Sequence, residues 1–380
     1  MKKLGVYIHI PFCVHKCTYC DFYSVTNTLL TEDYFSALKE QILNFKSYLK
    51  DWTVDSVYIG GGTPSCVDSK YIVDIMETLK SVVKFVEKPE ITIESNPGTL
   101  DTKKIKDYLN CGINRLSIGL QSADDEELKM LSRIHDKSAF ESAYMLARML
   151  GFKNVNVDIM YALPGQKEET LMNTIDYVTS LDPEHISFYG LRVEEGTPLA
   201  AREDLLEKIP DEDAQYNMYI HAAKRLEKAG YSQYEISNFS KKRMMCRHNC
   251  RYWKSGDYIG FGPGAASYIN GELYSYTKDI QSFIFKPTDF FVNVEKSEKL
   301  TIRQQATQYV MLGLRLARGV EAKEYKLRFG RDLEGDYGEK LEKYIDMKYA
   351  KRTDKGFRLT RAGLLVSNTI LSDILDFDKK

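Results

Sequence analysis

Six runs of β-type residues, Leu4 to Ile10, Val54 to Gly60, Glu90 to Asn96, Arg115 to Gln121, Asn154 to Tyr161 and His185 to Leu191, alternate with helix-period stretches such as Tyr34 to Leu49, Lys70 to Val83, Ser138 to Leu150 and Glu168 to Leu181. Alternation of this kind builds a parallel sheet with helices packed over it. The punctuation falls where strands end: a cysteine loop, then Gly60-Gly61-Gly62-Thr63-Pro64, Glu94-Ser95-Asn96-Pro97, Gly119-Leu120-Gln121-Ser122, and Asp158 with the turn Leu163-Pro164-Gly165. In α/β barrels the carboxyl ends of the strands share one rim, so residues about 150 positions apart converge on one pocket. Six units in place of eight imply an α/β fold built as an incomplete (β/α)6 barrel, open on one side for a large substrate.

Cys13, Cys17 and Cys20 follow the first strand with the spacing C-x-x-x-C-x-x-C. Three thiolates with no fourth cysteine nearby can hold three irons of a 4Fe-4S cluster and leave the fourth iron open to a small ligand. Zinc is the competing reading and needs a fourth ligand from His9, His15, Asp21 or a distant residue. A disulfide is disfavoured, because the total of seven cysteines is odd and no signal peptide is visible.

The chain of 380 residues carries 53 basic and 54 acidic residues for a net charge of −1. Bulk electrostatics therefore imply neither nucleic acid nor an anionic membrane as partner. No apolar run approaches the roughly 18 residues of a transmembrane helix, and peripheral membrane contact stays open. The expected location is the cytoplasm.

Each rim motif has a chemical reading beside an ordinary one. Consecutive glycines let a backbone approach a ligand and present its N–H groups, and they also make plain tight turns. Glu94 could accept from ribose hydroxyls or be a surface carboxylate. Arg133, after the acidic stretch Asp124 to Leu131, could clamp a carboxylate or be a solvated arginine. Gln121 and Asp158 add polar groups to the same rim.

Taken together, these motifs resemble the radical S-adenosylmethionine (SAM) superfamily. Nearly the whole chain is similar to its coproporphyrinogen-oxidase-like branch, whose two main members are the oxygen-independent coproporphyrinogen III oxidases and the HemW-type heme chaperones. The resemblance implies that Cys13, Cys17 and Cys20 hold a 4Fe-4S cluster and that Tyr7 and Tyr19 flank the SAM. It also puts Gly61, Gly62 and Thr63 at the methionine end, with Glu94, Gln121, Arg133 and Asp158 completing the site. Ala162 stands where the family usually has glycine before Leu-Pro, a change expected to alter local packing only.

Two features separate the branches. The oxidase has a cysteine two positions after the third cluster cysteine, where this chain has Phe22, and an N-terminal extension, whereas this sequence starts at the first strand. The run His248-Asn249-Cys250-Arg251-Tyr252-Trp253 fits the H-N-x-x-Y-W motif of the chaperones, whose histidine the resemblance implicates in heme binding. Independently of the family, histidine is the commonest proximal heme ligand and Tyr252 and Trp253 offer flat faces. A lone histidine among aromatics is also commonly a hydrogen-bonded structural residue. Cys246 and Cys250 flank His248 at C-x-x-x-C spacing and raise a second metal site as a competitor. Cys66 and Cys111 have no partner in spacing and read as small buried or helix-adjacent residues.

Beyond Asp279 the pattern changes. Thr301 to Leu316, Val320 to Phe329 and Asp336 to Lys348 read as helices, Tyr349 to Thr360 as a hairpin and Arg361 to Ile374 as a last helix, a mainly helical, winged-helix-like appendage suited to lid or docking duty. The expected division is a radical SAM partial barrel over 1–240, the H-N-x-x-Y-W segment and linker over 241–295, and the appendage over 296–380. The expected function is a heme chaperone that binds heme and passes it to acceptor proteins, carrying a 4Fe-4S cluster with exchangeable SAM and served by an electron donor, as monomer or homodimer. Whether it is also an enzyme is left open. The alternatives are the coproporphyrinogen III oxidase, another radical SAM enzyme, and a zinc-stabilised binding module.

Overall fold

The computed structural model describes residues 2–375. Its spine is a run of six parallel strands in sequence order, β1 (Lys2–Ile10), β2 (Trp52–Gly61), β3 (Lys84–Ser95), β4 (Arg115–Gln121), β5 (Val155–Tyr161) and β6 (His185–Gly190). In β1 the alternate residues Leu4, Val6, Ile8 and Ile10 are wholly buried under the helical layer. Tyr7 and His9 point the other way, as a period of two requires. The central strand β4 is buried along its whole length, because both of its faces are covered. The outer helices form for matching reasons. In Ser69–Val82 the residues Ile72, Ile75, Met76 and Leu79 make one apolar stripe against the sheet, and the Asp68 carboxylate accepts from the Lys70 N–H at the N-terminus.

The partial barrel expected from the sequence is present and does not close; its sheet is extended at both edges. Beyond β6 lie β7 (Ser232–Gln233) and β8 (Asn238–Ser240), antiparallel; beyond β1 lie β9 (Tyr258–Phe261), β10 (Ala266–Ile269), β11 (Glu272–Tyr276) and β12 (Val294–Lys299). Among the described residues the sheet has twelve strands in the order β12-β11-β10-β9-β1-β2-β3-β4-β5-β6-β8-β7. Of these edge strands only β9 joins in parallel, pairing Gly5 to Ile8 of β1 with Tyr258 to Phe261.

A second hydrophobic core, from Ala306 to Leu375, belongs to the appendage. There the helices Ile302–Gly313, Ala322–Phe329 and Leu333–Asp346 pack with a three-stranded antiparallel sheet made of β13 (Val320–Glu321), β14 (Ala350–Arg352) and β15 (Gly356–Leu359), in order β13-β15-β14. Helix, strand, two helices and two strands is the winged-helix sequence of elements. The last expected helix is two, Arg361–Leu365 and Ser367–Ile374, broken at Val366. The appendage is tied to the sheet by Arg361, which ion-pairs with Glu227, and by Arg328, whose guanidinium donates to the carbonyls of Lys254 and Ser255 at 2.7 and 2.8 Å.

Candidate functional site

The carboxyl ends of β1 to β6 open into a cavity of about 1010 Å³. That is the top of the ~300–1,000 Å³ range of single small-molecule sites. Cys13, Cys17 and Cys20 stand along its wall with Tyr19, Gly61, Gly62, Thr63, Glu94, Gln121, Arg133 and Asp158. The rim thus gathers three thiols and eight of the nine residues expected around SAM. Tyr7 is the exception. It sits one layer deeper, with its hydroxyl 3.0 Å from His9 Nδ1 and its ring stacked on Tyr58, which itself lines the cavity.

The cysteine loop reaches from β1 across the rim. Cys13 N–H donates to Val25 O at 3.0 Å, Arg133 Nη1, beyond β4, donates to Cys17 Sγ at 3.4 Å, and the Leu199 N–H, beyond β6, donates to Thr18 O at 2.9 Å. Burial pushes the Cys13 and Cys20 thiols up, so ionising them needs a strong positive partner, which iron would supply. All seven cysteines are free thiols. Among the described residues no group of three or more His, Cys, Asp and Glu closes on a single ion. The three thiols line a wall instead. Three cysteines, a guanidinium on one of them, and room beside them fit a cluster with one open iron.

The polar groups of the rim are placed differently from their sequence reading. The glycine run gives its N–H groups to its own chain: Gly61 donates to Glu94 Oε2 at 3.2 Å, Gly62 to Ile10 O at 2.8 Å and Thr63 to Phe12 O at 2.7 Å. A Cβ on Gly62 would lie 2.6 Å from Phe12 O, and Gly61 has φ +114 with the His9 ring 2.6 Å from where a Cβ would be. These glycines exist so that β2 can press against the cysteine loop, not primarily to bare amides to a ligand. Glu94 also receives the Tyr58 hydroxyl at 2.8 Å, and burial pushes its carboxyl up to about 7. Its remaining lone pairs can still accept.

Asp158 is likewise raised by burial while Ser117 Oγ and Asn156 Nδ2 donate to it at 3.1 and 2.8 Å. In Arg133, Nη2 donates to Gly119 O at 3.0 Å and Nη1 to Cys17, while buried Nε has no partner. Burial opposes its charge, yet Tyr19 and Cys17 outweigh that and hold the guanidinium protonated. Ala162 adopts φ 61 in a fully buried position. The expectation of a packing change alone is thereby corrected: the methyl sits on a left-handed backbone.

His248 is not in the cavity. It lies fully buried in the helix Arg247–Trp253, with Nδ1 3.1 Å from Ser56 Oγ and Nε2 2.7 Å from the Tyr252 hydroxyl, and burial lowers it to about 3. Glu90 of β3 caps this helix, accepting the N–H groups of Arg247 and His248 at 3.0 Å each and the Cys246 thiol at 3.6 Å. The imidazole tilts over Tyr58 with ring centres 5.4 Å apart. The motif thus packs behind the rim.

Several cavity residues went unread in the sequence. Tyr161, Phe188 and Tyr219 form an aromatic wall with centroid separations of 4.6 to 6.1 Å. Tyr189 and Tyr216 stand 39% and 45% exposed, and the appendage contributes Leu364, Leu365, Val366, Asn368 and Thr369. Tyr161 and Tyr189 lie at the ends of strands β5 and β6, which is the one signal that pointed to them.

The radical SAM superfamily model matches residues 7–178 and the HemN C-terminal domain model residues 300–366. Among curated relatives, the heme chaperone HemW of Bacillus subtilis is 32% identical over 98% of this chain and 99% of its own. That of Haemophilus influenzae is 32% identical over 98% and 97%, and that of Escherichia coli 36% identical over 73% and 74%. Among solved structures, the coproporphyrinogen III oxidase HemN of Escherichia coli superposes with a TM-score of 0.86 over 99% of this chain and 91% of its own at 21% identity, a likeness of fold. The chain belongs to the HemW family of heme chaperones within the radical SAM superfamily.

Proposed function

We propose that the protein is a cytoplasmic heme carrier that binds heme and hands it to acceptor proteins, with a 4Fe-4S cluster on Cys13, Cys17 and Cys20 and exchangeable SAM beside it. The supporting observation is one cavity with three thiols on one wall and the Tyr161, Phe188 and Tyr219 rings on another. Its volume leaves room for a flat macrocycle in addition to SAM. A cluster held by Cys13, Cys17 and Cys20 would supply one-electron reduction to the sulfonium of SAM, and an electron donor would serve it. The chain's own residues have other tasks. Gly61, Gly62 and Thr63 fix the cysteine loop against β2, and Arg133 keeps positive charge beside Cys17. Glu94, Gln121 and Asp158 offer acceptors for the amino and hydroxyl groups of SAM. Among the described residues no helix is long and apolar enough to cross a membrane.

His248 would ligate heme iron only if its helix opened. Both ring nitrogens are bonded within the fold, so reaching iron would require breaking the Ser56 or the Tyr252 bond. The oxidase reading is disfavoured by Phe22, which stands 66% exposed at the cavity where that branch has a cysteine. Anaerobic reconstitution followed by parallel assays of heme uptake and coproporphyrinogen III decarboxylation tests the function. The expected result is a Soret band with no decarboxylation. Decarboxylation without heme uptake overturns the carrier.

A further inference from the structure

Two arginines flank the junction of sheet and appendage, one on the cavity wall and one hydrogen-bonded to a residue of that wall, and neither has an anionic partner among the described residues. Arg192 follows β6, stands exposed on the cavity wall, and forms no hydrogen bond or ion pair among those residues. Arg315 follows the helix Ile302–Gly313, is half-buried, and donates through Nη2 to Asn368 Oδ1 at 3.0 Å, a neutral partner that lines the same cavity. Burial, and after it the Arg192 charge, work against the Arg315 cation. Like charges brought together without a counter-ion are unfavourable, and one carboxylate between them would reverse the sign.

The acids on the cavity wall serve elsewhere or leave the pair unneutralised. Glu94 and Asp158 are taken up by Tyr58, Gly61, Ser117 and Asn156. Asp21, Glu194, Glu212 and Asp213 also line the cavity without forming an ion pair to either arginine. Arg192 and the rings of Tyr161, Phe188 and Tyr219 line the same cavity. A ligand suited to this corner has a flat apolar ring for the wall and carboxylates at its edge for the guanidinium forks.

We propose that Arg192 and Arg315 form a carboxylate clamp for the propionate side chains of a tetrapyrrole lying against Tyr161, Phe188 and Tyr219, an assignment that rests on the carrier reading above. Because Arg192 comes from the sheet and Arg315 from the appendage, occupancy of the clamp also draws the two units together over the cavity.

The test titrates the full reconstituted protein anaerobically with heme and with heme dimethyl ester, followed by absorbance. Wild type should bind heme roughly tenfold or more tightly than the ester, the weight of a charge-assisted hydrogen bond. The double variant Arg192→Ala, Arg315→Ala should lose that preference and bind both like the ester, while SAM affinity stays unchanged. The double variant Arg192→Lys, Arg315→Lys, which keeps the charges, should recover part of it. A double alanine variant that retains the wild-type preference overturns the clamp. Wild-type protein that binds heme and ester equally overturns the clamp and leaves the carrier standing; uptake of neither overturns both.

Discussion

The rim of the cavity and the helix Arg247–Trp253 lie on one face of β2, the rim at its carboxyl end and the helix farther back along the strand, because Ser56 and Tyr58 are two residues apart, and they treat their polar groups differently. On the rim, buried Arg133 Nε has no partner, and Cys13 and Cys20 are held protonated by burial. Behind it, Ser56 and Tyr252 bind both nitrogens of His248, while Glu90 closes the helix N-terminus. Ser56 and Glu90 are register partners on β2 and β3, so two adjacent strands hold the helix. Unsatisfied buried groups are tolerated where a ligand completes them. The difference lies at the histidine and the helix N-terminus, since Arg251 Nε of the same helix is itself buried without a partner: His248 is finished by the chain, the thiols of the rim are not. Tyr58 joins them, with the His248 ring on one side and Glu94 accepting its hydroxyl on the other.

The largest test of this contrast is at the thiols. Replacing Cys13, Cys17 or Cys20 by Ala should abolish the broad visible absorption of the reconstituted protein, whereas Cys246→Ala and Cys250→Ala should leave it. Equal loss in all five would show that both regions hold metal and that the contrast is false. Next in size is stability. Glu90→Ala leaves two buried backbone N–H groups and the Arg115 cation without their carboxylate, and should destabilise the chain by about 3 kcal/mol or more. Thr63→Ala on the rim, which removes one 3.4 Å contact to Cys13, should fall within about 1 kcal/mol. Urea denaturation of the apo-protein measures both. Similar losses would mean the rim is as fully built as the helix.

What the sequence reveals divides along the same line. The six strands and their rim were legible because alternating and continuous apolar runs mark half-buried and fully buried strands, and Cys13, Cys17, Cys20, Glu94, Gln121, Arg133 and Asp158 each follow one or lie near its end. The edge strands were not. β9 to β11 are four or five residues long and interrupted by Gly260, Gly262, Gly264 and Gly271, and β12 is an almost wholly exposed run, Val-Glu-Lys-Ser-Glu-Lys, with no alternation. Their pairing is decided by neighbours, not by local pattern. The depth of His248 was illegible for a related reason, since its partners Ser56, Glu90 and Tyr58 are remote in sequence. Arg192 and Arg315, also remote from each other in the chain, are brought to one junction only by the docking of the appendage.

A pH titration sharpens the comparison through carboxyls. Burial raises Glu94 from the usual 4.5 to about 7, and Glu235, fully buried with Oε1 unpartnered, to about 7 as well. Between those values the unfolded chain has lost the proton and the folded chain keeps it, so the contribution of these two carboxyls is highest at the acid end of this window and is lost as pH rises through about 7, while His9, His135, His185 and His248, lowered by burial, contribute the opposite slope below about 6.5. Glu94→Gln should remove its share of the falling slope, and the double variant with Glu235→Gln both shares, leaving the histidine contribution in place, in denaturation midpoints taken from about pH 5 to 8. A slope untouched by either change would mean that both carboxyls are solvated and that the rim is wetter than its geometry implies. SAM or heme bound at the rim should lessen the Glu94 share only, because Glu94 lines the cavity and Glu235 does not.

The smallest effect expected is at Ala162, and its smallness is informative. A left-handed backbone at φ 61 disfavours a Cβ by roughly 1–2 kcal/mol, while the fully buried methyl returns about 0.8 kcal/mol, and a glycine would add unfolded-state entropy against folding. Ala162→Gly should therefore change stability by no more than about 0.5 kcal/mol. Gly165→Ala, in the same rim turn at φ 73, would bring its new methyl no closer than 3.9 Å to Met130 Cε, its nearest neighbour, and so gains no such packing. It should destabilise by about 1 kcal/mol. If Ala162→Gly instead stabilised the chain by well over about 1 kcal/mol, the backbone strain would outweigh the packing, and the turn beside Asp158 would be held in place by the surrounding rim more firmly than its open polar groups suggest.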